Sequence, residues 1–127
     1  MPRNSRQKLK LLYLKDYLLK NTDETHAVTV KNMIEYLESC GVAAERKSVY
    51  DDLETLAESG MDILSEKRDR NTWYHVASRE FEISELKLLV DAVLGSRFVT
   101  ERKSAELIRK LESLCSRYEA YALDRQL

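Results

Sequence analysis

Apolar side chains recur every three or four residues along much of this 127-residue chain, which is the pattern of amphipathic helices. The first such run predicts a helix over about residues 5–20. Its core-facing side chains are predicted to be Leu9, Leu12, Tyr13, Leu14, Tyr17 and Leu18. After a polar break at residues 21–25, a second run predicts a helix that Thr29 caps and that ends near Cys40, before Gly41.

A third helix is predicted to follow after a turn of only three or four residues that begins at Gly41. Its apolar face is predicted to be Val49, Leu53, Leu56 and Ala57. Gly60 comes directly after the last turn of this helix, where a left-handed residue is easiest to place. Two short helices joined by so short a turn match the helix-turn-helix signature.

The exposed side of the third helix changes chemistry along its length. Its first turns carry basic and hydroxyl-bearing side chains, namely Arg46, Lys47, Ser48 and Tyr50. Its later turns are acidic. A helix that enters the major groove of DNA by its N-terminus meets bases and phosphates with its first turns, so this asymmetry favours a recognition helix. The alternative is an ordinary core helix with a solvated polar face, which does not explain the next segment.

The next segment predicts a β-hairpin. Residues 61–66 and 72–76 are rich in strand-forming side chains and bracket a charged loop at residues 67–71. Three cations in this loop would make it a basic wing: Lys67, Arg68 and Arg70. The order helix, turn, helix and hairpin predicts a winged helix-turn-helix, in a chain that is mainly α with a small β-hairpin.

The run from Arg46 to Leu56, followed by Gly60 to Ile63, resembles the recognition-helix and wing-entry pattern of DeoR-like winged helix-turn-helix regulators. It is most similar to the N-terminal part of bacterial transcriptional regulators that carry a C-terminal WYL domain. Residues 81–93 and 96–99 are similar to the helical connector that follows the wing in those proteins. The resemblance extends over about residues 8–115.

This resemblance implies that the chain binds double-stranded DNA in a sequence-specific way. The implied contacts are Lys47, Ser48 and Tyr50 at the recognition helix and Lys67, Arg68 and Arg70 in the wing. Many members of the group have an arginine where this chain has Asp51, so a phosphate contact from that position is not carried over. The WYL domain, which would sense an effector, would need roughly another 100 residues beyond Leu127. We therefore expect an N-terminal fragment or a stand-alone regulator.

The net charge of −1 is distributed unevenly. Residues 1–20 carry six cations and one acid, residues 28–60 carry three cations and seven acids, and residues 61–79 carry four cations and three acids. Because salt screens exposed charges beyond about 8 Å, the local charge matters more for DNA binding than the total. Arg3 and Arg6 in the basic N-terminal arm could contact phosphate or could simply form a solubilising end.

The C-terminal third predicts a helical hairpin. Ser84 is expected to cap a helix that ends at Gly95, and Thr100 precedes a longer helix with a heptad-like seam. Since a lone hairpin cannot bury both apolar faces, we expect a homodimer. Its predicted interface is Leu86, Val90, Val93, Leu107, Leu111, Leu114 and Tyr118. The alternative is intramolecular packing on the winged domain or on a missing C-terminal domain.

The residue types do not indicate an enzyme. His26 and His75 lie far apart without ligand spacing, and no nucleophile motif or glycine-rich phosphate loop is present, so we expect no metal and no cofactor. Cys40 and Cys115 are predicted to be reduced thiols that are buried or half-buried, rather than partners in a disulfide. No segment predicts a membrane span or a signal peptide, which favours the cytoplasm.

The sequence therefore predicts two parts. Residues 1–79 would form the DNA-binding domain, and residues 80–127 a helical connector that dimerises. The functional prediction is a DNA-binding module of a bacterial transcriptional regulator, whose effector would bind a missing C-terminal domain. Two alternatives remain open, a winged-helix module for protein–protein contacts and a small stand-alone repressor that senses a ligand between its C-terminal helices.

Overall fold

The computed structural model describes the backbone of residues 2–125 and the side chains of residues 6–125. Within this part of the chain, six helices and one antiparallel hairpin confirm the mainly α class. The elements are α1 (Pro2–Asn21), α2 (Val30–Ser39), α3 (Arg46–Glu58), β1 (Ile63–Arg68), β2 (Asn71–Val76), α4 (Ile83–Leu94), α5 (Glu101–Glu112) and α6 (Arg117–Arg125).

The chain divides into two compact units between Ala77 and Ser78. The first unit contains α1 to α3 and the hairpin, and the second contains α4 to α6. The boundary expected from the sequence, between residues 79 and 80, falls two residues later. None of the described helices combines the length and apolar character that crossing a bilayer requires.

The core of the first unit is formed where α1 packs on α2 and α3. Its most completely buried side chains are Leu14, Leu18, Met33, Leu37, Val42 and Val49. Three predicted core positions are wrong. Leu9 and Leu12 lie on the solvent side of α1, with Leu12 61% exposed, and Ala57 is exposed because it lies about 80° around α3 from Val49.

The ends of α2 confirm the sequence reading. Thr29 caps the helix by accepting a hydrogen bond from the amide of Asn32, whose side chain in turn accepts one from the amide of Thr29. Gly41 follows the C-terminus with φ of +82°, a conformation that costs other residues more. The turn between α2 and α3 is slightly longer than expected, since it runs from residue 40 to residue 45.

The hairpin is joined to the helices by a short third strand segment. Val28 and Tyr74 exchange backbone hydrogen bonds of 2.9 and 2.7 Å. The hydroxyl of Thr22, which is fully buried, accepts a hydrogen bond of 2.9 Å from the amide of Val76. These bonds fix the base of the wing to the segment that leads into α2.

The second unit has three helices, because the long helix predicted after Thr100 is in fact α5 and α6. Thr100 caps α5 as expected, accepting a hydrogen bond from the amide of Lys103. The break falls at residues 113–116, where Ser116 and Glu119 form a reciprocal capping box. This new helix start interrupts the heptad seam and lets α6 fold back on α5.

The start of α4 also differs from the prediction. Glu82, not Ser84, is the N-cap residue, and its amide donates a hydrogen bond of 2.8 Å to the carboxylate of Glu85. Gly95 ends the helix as expected. The core of this unit contains Leu86, Cys115 and Leu123, so Cys115 is the small buried apolar group that the sequence predicted.

Candidate nucleic-acid interface

The hydroxyl of Ser48 stabilises the first turn of α3. Ser48 donates a hydrogen bond of 2.9 Å to the carbonyl of Glu45, the N-cap residue, and accepts one of 3.3 Å from the amide of Glu45. Ser48 is only half-exposed. Its hydroxyl therefore stabilises the start of the helix, and this use competes with the base contact expected for it.

A buried ion pair ties the same turn to α1. The ammonium of Lys10 lies 2.8 Å from the carboxylate of Asp52 and donates a hydrogen bond of 2.9 Å to Ser48. Lys10 is 8% exposed, which is rare for a lysine unless it is paired. Lys10 was not among the predicted site residues, although it lies four and eight residues before Leu14 and Leu18 and so shares their face.

The side chains that remain free for a ligand at this tip are Arg46, Lys47 and Tyr50, all of them exposed. The Arg46 guanidinium lies 3.5 Å from the Tyr50 hydroxyl, one turn along the helix. No acidic residue lies in the first turn of α3. Since the amide end of a helix already carries partial positive charge, adding two cations there makes a site that favours an anion.

The first turn of α2 has the same character. It contains no acidic residue but carries Lys31, which is exposed. Lys31 was not among the predicted DNA-binding residues. The position of Lys31 in the first turn of α2 is itself a signal in the sequence. A cation at the amide end of a helix is unfavourable by about 0.3–1 kcal/mol unless an anion compensates it.

A cleft of about 200 Å³ joins these helix ends to the hairpin. It is lined by Thr29, Val30, Lys31, Asn32, Arg46, Tyr50, Asn71, Thr72 and Trp73. The fold therefore brings two of the predicted recognition residues, Arg46 and Tyr50, next to the start of β2, close to the tip of the wing. The cleft offers two cations together with amide, hydroxyl and indole groups, which is a set that suits phosphate and sugar oxygens.

The wing has a tighter tip than the sequence predicted. The strands extend to Arg68 and from Asn71, so the turn contains only Asp69 and Arg70, with φ of +52° and +70°. Two left-handed central residues define a type I′ turn, which normally uses Asn or Asp followed by Gly. The sequence lacked that glycine, and the predicted loop was therefore too long.

The three predicted wing cations do not share one direction. Lys67 pairs with Thr72 and Arg68 pairs with Asn71, and successive strand residues lie on opposite faces. The guanidinium of Arg68 lies 5.0 Å from the centre of the Trp73 ring, a cation–π distance. All three cations are exposed, and only Arg70 lies in the turn itself.

The N-terminal arm has a structural role at Arg6. Its guanidinium donates hydrogen bonds to the carbonyl of Cys40, at 3.1 Å, and to the hydroxyl of Tyr13, at 3.3 Å. Arg6 therefore stabilises the C-terminus of α2, where a cation is favourable, and is not simply a solubilising end, while its contact with phosphate stays a prediction. The side chain of Arg3 lies outside the described residues.

The predicted dimerisation residues fall into two groups. Leu86 and Val90 are completely buried in the core of the second unit, so they cannot form an external surface, and Tyr118 is half-buried beside Arg117. The other four line an apolar groove between α4 and α5: Val93, Leu107, Leu111 and Leu114.

Two further titratable side chains of the first unit have defined surroundings. Tyr74 packs against the core of the first unit, and burial raises the pKa of its phenol. His26 lies 2.8 Å from the carboxylate of Asp23 in the loop before α2. Within residues 2–125, no three His, Cys, Asp or Glu side chains come together in a way that could hold a metal ion.

Comparisons with models of protein families, with curated proteins and with solved structures find no significant match to this chain.

Proposed function

We propose that the first unit is a sequence-specific double-stranded DNA-binding module of a bacterial transcriptional regulator, in which α3 enters the major groove. The observation that carries this proposal is the cleft between the helix starts and the hairpin. Cations occupy the first turns of both α2 and α3, where a folded helix alone would favour acids. A polyanion that binds across both helix ends would turn this unfavourable arrangement into a favourable one.

The roles of the recognition residues follow from their partners. Lys47 is exposed at the tip of α3 and is our candidate for a base contact, since a lysine can donate to the O6 and N7 atoms of guanine. Arg46 and Lys31 face the cleft and would bind backbone phosphates. Ser48 would position the tip through Glu45 and Lys10 and would not contact a base.

The wing would hold the flanking backbone with Lys67, Arg68 and Arg70. The resemblance of residues 46–63 to DeoR-like regulators supports the same arrangement. A regulator of this kind acts on the chromosome, so we place the protein in the cytoplasm. It needs no cofactor for DNA contacts of this type, because phosphate and base recognition use side chains and backbone amides alone.

The test begins with a selection of bound duplexes from random sequences, using the full chain. Binding to the selected duplex and to competitor DNA is then measured across salt concentrations. Lys47→Ala should weaken binding to the selected sequence by about 1–3 kcal/mol and affect competitor DNA much less, because only a base contact distinguishes the two. Lys15→Ala, which removes an exposed lysine of α1, is the matched control and should leave discrimination unchanged.

The Ser48→Ala variant distinguishes between two roles of Ser48, positioning the start of α3 or contacting a base. If Ser48 only positions α3, the variant should unfold at a lower temperature but keep the preferred sequence. A change of preferred base in this variant would return Ser48 to the contact surface. If no duplex binds better than competitor DNA at any salt concentration, the DNA-binding proposal is wrong and the exposed face of α3 is better explained as a protein-binding surface.

A further inference from the structure

The second unit carries an apolar groove of about 460 Å³ between α4 and α5. Leu89, Ala92 and Val93 form one wall, and Leu107, Leu111 and Leu114 form the other. The exposed surface inside the groove is largely carbon, and Lys110 is the charged side chain at its edge. A volume of this size accommodates an aromatic side chain together with part of its neighbours.

An aromatic side chain lies immediately beside the groove but does not fill it. Phe98 is in the link between α4 and α5 and is 98% exposed, although Ser96 and Val99 on either side of it both line the groove. The amide of Phe98 donates a hydrogen bond of 3.2 Å to the hydroxyl of Ser96, which orders the link. Phe98 is thus presented to solvent by a structured turn.

We propose that a second copy of this chain covers the groove, with Phe98 of each copy inserted into the α4–α5 groove of the other. Each copy then supplies one knob and one hole, so two copies satisfy each other completely. Such an isologous arrangement is complete with two subunits. No Phe98 or groove remains unoccupied, so further copies cannot add to form a filament.

Further exposed apolar side chains surround the groove. A fully exposed phenylalanine leaves roughly 150–250 Å² of aromatic surface in water. Leu88, which is 69% exposed, lies one turn before Ala92 and extends the same wall of the groove outwards. Together with Leu114, these side chains would form the apolar centre of an interface, and the polar residues around them would have to supply the rest of the about 800 Å² per partner that stable complexes bury.

The charge of the unit also favours a second copy over a charged partner. Nine Lys and Arg residues balance nine Asp and Glu residues in residues 78–127. Two copies of a neutral unit do not repel each other, and near-zero net charge promotes association. The unit as a whole has no excess of one sign that would select an acidic or a basic partner.

The experiment measures the mass of the full chain in solution without DNA, by sedimentation equilibrium from low to high micromolar concentration. The wild type should dimerise. Phe98→Ser removes two buried aromatic side chains per dimer and should weaken dimerisation by about 100-fold or more. Ala92→Glu places a charge in the groove and should have a similar effect. Tyr121→Ser, which removes an exposed aromatic ring of α6 outside the groove, should dimerise like the wild type.

A mixture of the first two variants gives the sharpest result. The Phe98→Ser chain keeps an intact groove, and the Ala92→Glu chain keeps an intact knob, so one of the two contacts survives in a heterodimer. The mixture should therefore associate more strongly than either variant alone. Circular dichroism spectra of the variants should match the wild type, because Phe98 and Ala92 are both exposed.

Three outcomes would overturn the inference. The wild type could stay monomeric throughout, the Tyr121→Ser variant could be the one that loses dimers, or the mixture could show no rescue. If the monomer instead binds the apolar dye anilinonaphthalene sulfonate and Ala92→Glu abolishes that binding, the groove is a small-molecule site. Because no DNA is present, a negative result here leaves the proposed DNA binding untouched, and the reverse also holds.

Discussion

At the tip of the hairpin, Arg70 occupies a backbone conformation that an arginine adopts at a cost. A left-handed φ brings the Cβ of an L residue close to the following carbonyl, which is unfavourable by roughly 1–2 kcal/mol. Asp69 tolerates the same region better because its short polar side chain can bond locally. Glycine is the residue that a type I′ turn prefers at the position of Arg70. Because this strained position carries a cation, we expect Arg70 to have a role outside folding.

We predict that Arg70→Gly makes the protein more stable and weakens its binding to DNA. The free energy of unfolding should rise by up to about 1 kcal/mol, since relief of strain exceeds the entropy cost of glycine. The log–log slope of affinity against salt should fall by about 0.9, the value for one lost phosphate contact. Thermal denaturation and salt titration measure the two effects.

The matched control is Arg70→Ala, which removes the charge but keeps the strain. It should reduce the salt slope equally without raising stability. If both variants bind DNA with the wild-type slope, Arg70 contacts no phosphate and its conformation needs another explanation. If only the glycine variant loses affinity for DNA, binding depends on the backbone conformation of the turn and not on the charge of Arg70.

At the scale of elements, the helix ends could be predicted from local sequence signals. Contacts between residues far apart in the sequence could not be predicted in this way. Thr29, Gly41 and Thr100 act on amides and carbonyls of their own helix, so each could be read from the sequence. The buried Lys10 depends on Asp52, 42 residues away, and sequence patterning treats a lysine as exposed. The heptad-like spacing after Thr100 outweighed the short Ser-x-x-Glu signal at Ser116, although that capping box is what starts α6.

The contact between α5 and α6 contains a carboxyl group whose protonation changes near neutral pH. Burial, together with a hydrogen bond to the Asp124 carboxyl and the charge of that carboxyl, raises the pKa of Glu112 to about 7, although Arg109 acts in the opposite direction. One oxygen of Glu112 is shielded from solvent and has no hydrogen-bond partner within the described residues. The folded state therefore holds this proton more tightly than the unfolded chain does.

We predict that this carboxyl makes the second unit less stable as the pH rises. The favourable effect is complete below the ordinary pKa of 4.5, declines between pH 4.5 and about 7, and is absent above that range. The change should amount to about 1–3 kcal/mol. Denaturant unfolding of the wild type and of Glu112→Gln between pH 4 and pH 9 measures it.

The glutamine variant cannot ionise, so its stability should vary less over this range and should exceed that of the wild type above pH 7. Glu106→Gln is the matched control, since Glu106 lies on the same helix in an exposed ion pair with Lys103. Equal pH dependence in wild type and Glu112→Gln would assign the effect to another group.

In the whole molecule, the two proposed functions belong to different units: DNA binding to the first unit and dimerisation to the second. The first unit holds the cations at the starts of α2 and α3, and the second holds Phe98 and its groove. The DNA that a dimer prefers depends on both units together. Two copies joined through the second unit would present two recognition helices, and a twofold dimer matches an inverted repeat with half-sites separated by about 34 Å or a multiple of it.

We predict that the duplexes selected by the full chain contain two inverted copies of one short sequence. On such a duplex, Phe98→Ser should bind at least tenfold more weakly than the wild type, because the second contact is no longer made within the same complex. On a duplex with a single half-site, the two proteins should bind equally, since Phe98 lies in the second unit and the base contacts lie in the first. Fluorescence anisotropy on both duplexes gives the comparison. If Phe98→Ser loses affinity equally on both, the second unit contributes to DNA binding directly, whereas selection of a single unrepeated site would mean that the chain binds DNA as a monomer.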